Sequence, residues 1–209
     1  MSSLPKTESL IHQGIDSGLH IGAQICASIN CEVIADLAVG EARPGVAMRS
    51  ETLMPWLSCT KPFGAVVIGQ LIERGDLSVE DPVSDHVPEF AHKGKESITL
   101  RHLLTHTGGF RQVDFDWQSE DWDDIIRRIC TTGLEPGWIP GQKAGYHKDT
   151  SWYILAEIVQ RKTGRPFADF VRERIFEPLG MVDSWVVLKA NRYREYGDQM
   201  GILQDTRDA

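Results

Sequence analysis

Trp56-Leu57-Ser58-Cys59-Thr60-Lys61-Pro62-Phe63 leads into a largely apolar run from Ala65 to Ile72. The spacing predicts a helix beginning near Cys59, with Ser58 and Lys61 on one face about a turn apart, so that the amine can reach the hydroxyl. A serine hydroxyl is a poor nucleophile until a neighbouring base takes its proton, and a desolvated lysine can be that base. A plainer reading also fits, with Ser58 as an N-cap and Lys61 as a solvated first-turn residue. S-x-x-K alone does not separate the two readings, so the rest of the chain must.

Downstream, the helix is expected to run to Arg74 and end at Gly75, a left-handed C-cap position. Asp76 to Val83 reads as a turn-rich connection, and Thr99 as the N-cap of a short helix containing Arg101 to Leu104. Asp121 to Cys130 places Trp122, Ile125, Ile126 and Ile129 at helical spacing. A loop from Gly133 to Gly145 follows, then a helix from about Thr150 to Thr163 that Gly164 ends. Pro166 opens another helix, to about Phe176, and past Leu188 the chain turns polar and patternless.

Upstream, Leu10, Ile11 and Ile15 mark a helix over about Thr7 to Ser17, stopped by Gly18. Alternation over Ile21–Ile29 and Val33–Val39, with Asn30 between, predicts an antiparallel hairpin. Gly40 to Ser50 reads as a loop. A hairpin is marginal by itself, so its apolar alternation implies further strands that the sequence does not obviously supply.

The 209 residues, 41% hydrophobic and 25% charged, suit one globular domain, expected over residues 1–188, with a polar tail over 189–209. A net charge of -8 and the lack of any basic run exclude nucleic acid as the expected partner. No stretch approaches the roughly 20 apolar residues of a membrane span, so no membrane association is expected. Met1 to Glu8 lacks the apolar segment of a signal peptide, giving a cytoplasmic expectation. Cys26, Cys31, Cys59 and Cys130 show no metal spacing and are expected to be reduced and partly buried, Cys59 as a small core residue. Cys26 and Cys31 are near enough in sequence to pair across the hairpin if oxidised.

A second candidate site is Gly145-Tyr146-His147-Lys148, where a Gly/Pro-rich loop meets a helix and can present a side chain to a cleft. A lone loop tyrosine can equally be packing. His102 and His106 lie four apart, as a metal would want, but without an adjacent Glu or a third ligand, so no metal and no cofactor is expected. The acidic cluster of Asp114, Asp116, Glu120, Asp121, Asp123 and Asp124 reads as a solvated helix start. Trp117, Trp122 and Trp138 read as core packing or as a cleft lining. No G-x-S-x-G surrounds Ser58, which sets aside an alpha/beta-hydrolase elbow.

Taken together, these segments resemble the serine beta-lactamase-like superfamily, in its class C beta-lactamase, DD-peptidase and family VIII-type esterase branch. The resemblance runs from Ile21 to Val186 through Ser58-Cys59-Thr60-Lys61, Leu71-Ile72-Glu73-Arg74-Gly75-Asp76-Leu77 and Asp81-Pro82-Val83. It continues through Ile98-Thr99-Leu100-Arg101-His102-Leu103-Leu104-Thr105-His106-Thr107-Gly108-Gly109, Tyr146 and Phe176-Glu177-Pro178-Leu179-Gly180-Met181. It implies an α/β (α+β) fold of the beta-lactamase/transpeptidase type, an antiparallel sheet flanked by helices plus a helical region. It also implies Ser58 as nucleophile, Lys61 and Tyr146 sharing the proton transfers, and the Ser58 backbone N–H as one oxyanion donor.

Two departures stand out. The family's Y-x-N becomes Tyr146-His147-Lys148, where the lysine offers only a cation; it either docks a substrate carboxylate or swings into solvent, and His147 is a further candidate substrate contact. The family's K-T-G or H-x-G triplet on a late strand has no counterpart after Val186, and Lys162-Thr163-Gly164 reads as a helix end. The C-terminal strands are therefore expected to be missing. The implied function is a serine hydrolase or acyltransferase acting on an ester, amide or lactam carbonyl through an acyl-Ser58 intermediate, foremost a cytoplasmic esterase or transacylase. The alternative is a truncated, inactive binding or interaction protein, for which a homodimer or a complementing chain is the expected partner.

Overall fold

The computed structural model describes residues 4–203, so residues 1–3 and the end of the expected tail, 204–209, lie outside the described residues. The chain forms two compact units: residues up to Trp56 together with those from Val187 onward, and Leu57–Val186. The residues past 188 thus group with the N-terminal segment.

In the first unit, helix α1 (Pro5–Asp16) is followed by strands β1 (Gly22–Ile29), β2 (Glu32–Arg43) and β3 (Val46–Ala47), in the antiparallel order β1-β2-β3. The hairpin turn puts Asn30 at φ 50 and Cys31 at φ 66, both left-handed, which matches the twist of the flanking strands. Cys26 lies opposite Asp36, so the register does not set it across from Cys31. Residues 40–43 extend β2 rather than opening a loop, and Arg43-Pro44-Gly45-Val46 turns the chain into β3, with Gly45 at φ 79. Proline followed by glycine at the centre of a turn is the signal that marks this third strand.

The residues expected to be patternless contain helix α7 (Ala190–Tyr196) and a 3-10 turn, Gly197–Gln199. The segment is held by the backbone: Leu53 N–H donates to Gln199 O at 2.7 Å, and Ile202 N–H to Ala42 O at 3.0 Å. Arg43 and Asp198 add an ion pair. Since α7 buries none of its residues, it carries no apolar stripe for a sequence reading to find.

The second unit is helical and contains the main apolar core. Its helices are α2 (Lys61–Glu73), α3 (Leu100–Leu104), α4 (Trp122–Thr131), α5 (Thr150–Thr163) and α6 (Phe167–Val171), the last continued by a π-helical turn, Arg172–Phe176. Helix α5 packs on α2, α3, α4 and α6, bringing Ile154, Leu155 and Ile158 against Val67, Ile68 and Leu71 of α2, Ile125 and Ile129 of α4, and Phe170. Thr99 precedes α3 and its N–H donates to His102 Nδ1 at 3.1 Å, a reciprocal cap that gives His102 a structural task. Gly164, at φ 67, ends α5 as a left-handed cap, so Lys162-Thr163-Gly164 is a helix terminus.

One buried charge closes this core. Lys95, 1% exposed, donates its ammonium to Cys130 O at 2.9 Å, to His92 O at 3.2 Å and to Thr132 O. These include carbonyls that the end of α4 leaves without intrahelical partners. Burial pushes the Lys95 amine down to about 8. It also pushes the neighbouring Cys130 thiol up to about 11. Cys130 is buried, whereas Cys59, expected in the core, is exposed together with Cys26 and Cys31. Cys59 lies in the 3-10 turn before α2, outside the helix's buried face.

Candidate active site

The turn Leu57–Thr60 delivers Ser58 to the start of α2, so helix proper begins at Lys61, two residues later than the apolar spacing suggests. Leu57 holds a left-handed φ of 45, a strained conformation for a residue with a Cβ, directly before Ser58. Lys61, on the first turn of α2, donates from Nζ to Ser58 Oγ at 3.0 Å. On its other side Ser58 Oγ lies 2.7 Å from the Tyr146 hydroxyl. The Lys61 ammonium also sits over the Tyr146 ring, 5.1 Å from its centroid. Hydrogen bonding by Lys61, and then by Ser58, holds the Tyr146 phenol below its usual range. Three side chains separated by up to 88 positions therefore form one continuous hydrogen-bonded line.

Tyr146 is 54% exposed, so its position is set by the loop backbone rather than by burial of its ring. Gly145 N–H donates to His106 O at 2.9 Å, and His147 N–H donates to His106 Nδ1 at 3.1 Å. His106, at φ 59, is a second left-handed non-glycine residue at the site, with its ring 5.0 Å from that of Tyr146. Burial, and then the Lys61 charge, holds the His106 imidazole below its usual range. In the sequence His106 stands out only by its spacing of four from His102, the spacing of a metal pair. Its position just ahead of Gly108-Gly109, within a long match to the family, was the available signal.

His147 is not placed to touch substrate. It is fully buried, with Nδ1 2.7 Å from Gly145 O and Nε2 accepting the N–H groups of Gly109 at 3.0 Å and Phe110 at 3.4 Å. Two donors facing Nε2 require the proton to sit on Nδ1, which fixes the neutral tautomer. Burial is the main cause that pushes its imidazole down to about 4. The close approach around it depends on glycine. A Cβ on Gly109, at φ 78, would stand 2.1 Å from the Trp138 ring, and one on Gly145 would stand 2.7 Å from Arg111 Nη1.

Lys148 takes the solvent-facing alternative. Its side chain is 79% exposed, with Asp149 at 3.6 Å, and the charge felt by Tyr146 is that of Lys61 and Asp149. Trp138 is buried and donates Nε1–H to Thr107 O at 3.0 Å, Trp122 donates to Glu157 at 2.6 Å, and Trp117 stands exposed. Among the described residues, no group of three or more His, Cys, Asp or Glu side chains is arranged to hold a metal ion. Among the same residues, no helix is long and apolar enough to cross a membrane.

The geometry can be set beside known proteins. Penicillin-binding protein 4* of Bacillus subtilis is 32% identical over 154 residues, covering 70% of this chain and 32% of that protein. Esterase EstB of Burkholderia gladioli is 28% identical over 200 residues, covering 85% of this chain and 50% of that protein. The crystal structure of a penicillin-binding protein homolog from Caulobacter crescentus superposes with a TM-score of 0.79 at 29% identity, covering 97% of this chain and 54% of that one. The chain thus spans between about a third and about half of the length of these relatives. The family model described as Beta-lactamase matches residues 7–199, and the chain belongs to the beta-lactamase family, with the fold of the beta-lactamases and penicillin-binding proteins.

Proposed function

We propose that this chain is a serine hydrolase or acyltransferase that works on an ester, amide or lactam carbonyl through an acyl-Ser58 intermediate, with esterase or transacylase activity foremost. The observation that carries the reading is the line Lys61 Nζ, Ser58 Oγ, Tyr146 Oη, with separations of 3.0 and 2.7 Å. Lys61 donates into Ser58 Oγ, which leaves the serine's own proton directed at the tyrosine oxygen. Tyr146, whose phenolate the Lys61 hydrogen bond favours, accepts that proton in its phenolate form.

The steps follow. Ser58 Oγ bonds to the carbonyl carbon as its proton passes to Tyr146, and the oxyanion that forms faces the Ser58 N–H. That N–H lies in the first turn of a 3-10 segment, where a backbone donor has no intrahelical acceptor. Collapse breaks the bond to the leaving group, which takes the proton from Tyr146. Water or an alcohol then repeats the sequence in reverse, giving hydrolysis or acyl transfer. The penicillin-binding and esterase relatives support the reaction class, and Esterase EstB supports an ester as the first substrate to try. A reducing, cytoplasmic setting is our reading of the compartment, supported by the exposed thiols of Cys26, Cys31 and Cys59.

The test is hydrolysis of p-nitrophenyl esters of stepped acyl length by the wild type, Ser58→Ala and Tyr146→Phe. We expect a burst of nitrophenol matched by one acyl group on the protein, absent in Ser58→Ala. A full rate in Ser58→Ala would overturn the reading.

A further inference from the structure

Helices α2 and α3 end in the same way, with one difference. After α2, Gly75 N–H donates to Ile72 O at 2.9 Å and Asp76 N–H to Leu71 O at 2.9 Å, around a left-handed Gly75 at φ 78. After α3, His106 N–H donates to Leu103 O at 3.3 Å and Thr107 N–H to His102 O at 2.9 Å, around a left-handed His106 at φ 59. This pair of bonds satisfies carbonyls that a helix end leaves open, and its left-handed position favours glycine, because a Cβ there crowds the backbone. A histidine in that position carries a cost that glycine would not. Such a cost implies a use for the side chain.

The use lies in the loop that carries Tyr146. His106 O accepts the N–H of Gly145 at 2.9 Å, and His106 Nδ1 accepts the N–H of His147 at 3.1 Å. The residues on both sides of Tyr146 are thus tied to one residue, once through its backbone and once through its side chain. An imidazole that accepts at Nδ1 carries its proton on Nε2, so the bond to His147 needs the neutral ring. Burial, and then the Lys61 charge, favours that form. The ring also borders the phenol, with centroids 5.0 Å apart. Tyr146 itself is exposed and has little packing of its own to fix it, so these ties decide where its hydroxyl stands.

We propose that His106 is the positioning residue of this site: its left-handed backbone and its Nδ1 together hold residues 145–147 so that the Tyr146 hydroxyl stays within hydrogen-bond reach of Ser58. The proposal rests on the acyl-Ser58 reading for its effect on rate, whereas the hold on Tyr146 does not require turnover. It explains why a histidine stands where the end of α2 has glycine: glycine would close the helix equally well but would leave the His147 N–H without its acceptor.

The experiment compares wild type, His106→Gly and His106→Asn, each alone and combined with Tyr146→Phe. His106→Gly keeps the left-handed backbone at lower cost and removes the acceptor. His106→Asn also tolerates that backbone and places Oδ1 where Nδ1 stood. Two quantities are read: the rate of Ser58 labelling by a fluorophosphonate, and the titration of the Tyr146 phenol, taken as the ultraviolet difference between each chain and its Tyr146→Phe counterpart. His106→Gly is expected to slow labelling roughly 10- to 100-fold, the scale of a misplacement of about 1 Å, and to raise the pH at which Tyr146 titrates. His106→Asn should restore most of the rate and the titration of the wild type. In the Tyr146→Phe background His106→Gly should cost less than about twofold more, because the two residues act through one group.

A wild-type rate and titration in His106→Gly would overturn the proposal. So would losses that multiply with Tyr146→Phe, or a His106→Asn chain no better than His106→Gly. An unlabelled wild type would sink the acyl-Ser58 reading instead. The phenol titration then decides the role of His106 by itself: a shift in His106→Gly that His106→Asn reverses supports it, and identical titrations in all three chains overturn it.

Discussion

His147 Nε2 accepts the backbone N–H of Gly109 at 3.0 Å, fastening the residue after Tyr146 to a turn 38 positions earlier. The bond exists only while the imidazole is neutral, because protonation would set an N–H against an N–H. The folded value of about 4 lies below the unfolded value of 6.5, so between those limits the unfolded chain binds a proton that the fold excludes. Stability contributed by His147 is therefore complete above pH 6.5 and lost as the pH falls towards 4, on the order of 3 kcal/mol in all. Urea midpoints at pH 7, 5.5 and 4.5 should fall for the wild type and fall less for His147→Gln, whose amide oxygen can still accept. Parallel curves would show that His147 does not carry this dependence.

Leu57 is the second place where the site stores a cost. Its left-handed backbone is strained by its own Cβ, and its side chain is 66% exposed, so little packing is lost on removal. Leu57→Gly should raise stability by about 1 kcal/mol while slowing acylation of Ser58, since the turn is no longer held in one conformation. Chemical denaturation and a labelling rate measure both. Unchanged stability would mean that the turn is relaxed.

Lys95 tests the account of the core. Lys95→Met keeps the apolar stem but removes the donor to the carbonyls of His92, Cys130 and Thr132. The expected loss is about 2–3 kcal/mol, from buried carbonyls left without a partner. A loss below about 0.5 kcal/mol would show that water replaces the ammonium without penalty.

The sequence was readable where one local pattern decided one structure. Helix α5 matches the span Thr150–Thr163 because its apolar period, its terminal Gly164 and the preceding loop agree. The alternation of β1 and β2 was equally plain. Ser58, Lys61 and Tyr146 could be named from S-x-x-K and the family's tyrosine, but their meeting depends on loop backbone that has no periodicity. The role of His147 is not legible in the sequence, because a histidine beside a site residue has the same local sequence whether it faces substrate or, as here, two backbone N–H groups. Cys59 was misjudged because the 3-10 turn before α2 rotates it out of the helical register. Helix α7 escaped because it is fixed by backbone bonds and a charge pair to residues far away in the chain.

The central claim is that Ser58 is activated by the side chains of Lys61 and Tyr146. It is tested most directly by intact-protein mass spectrometry after incubation with a fluorophosphonate, on the wild type, Ser58→Ala and Tyr146→Phe. The account predicts one label on the wild type, none on Ser58→Ala, and labelling slowed about 10²- to 10⁴-fold in Tyr146→Phe, the usual cost of losing a positioned base. An unlabelled but folded wild type, or labelling that persists in Ser58→Ala, would contradict it.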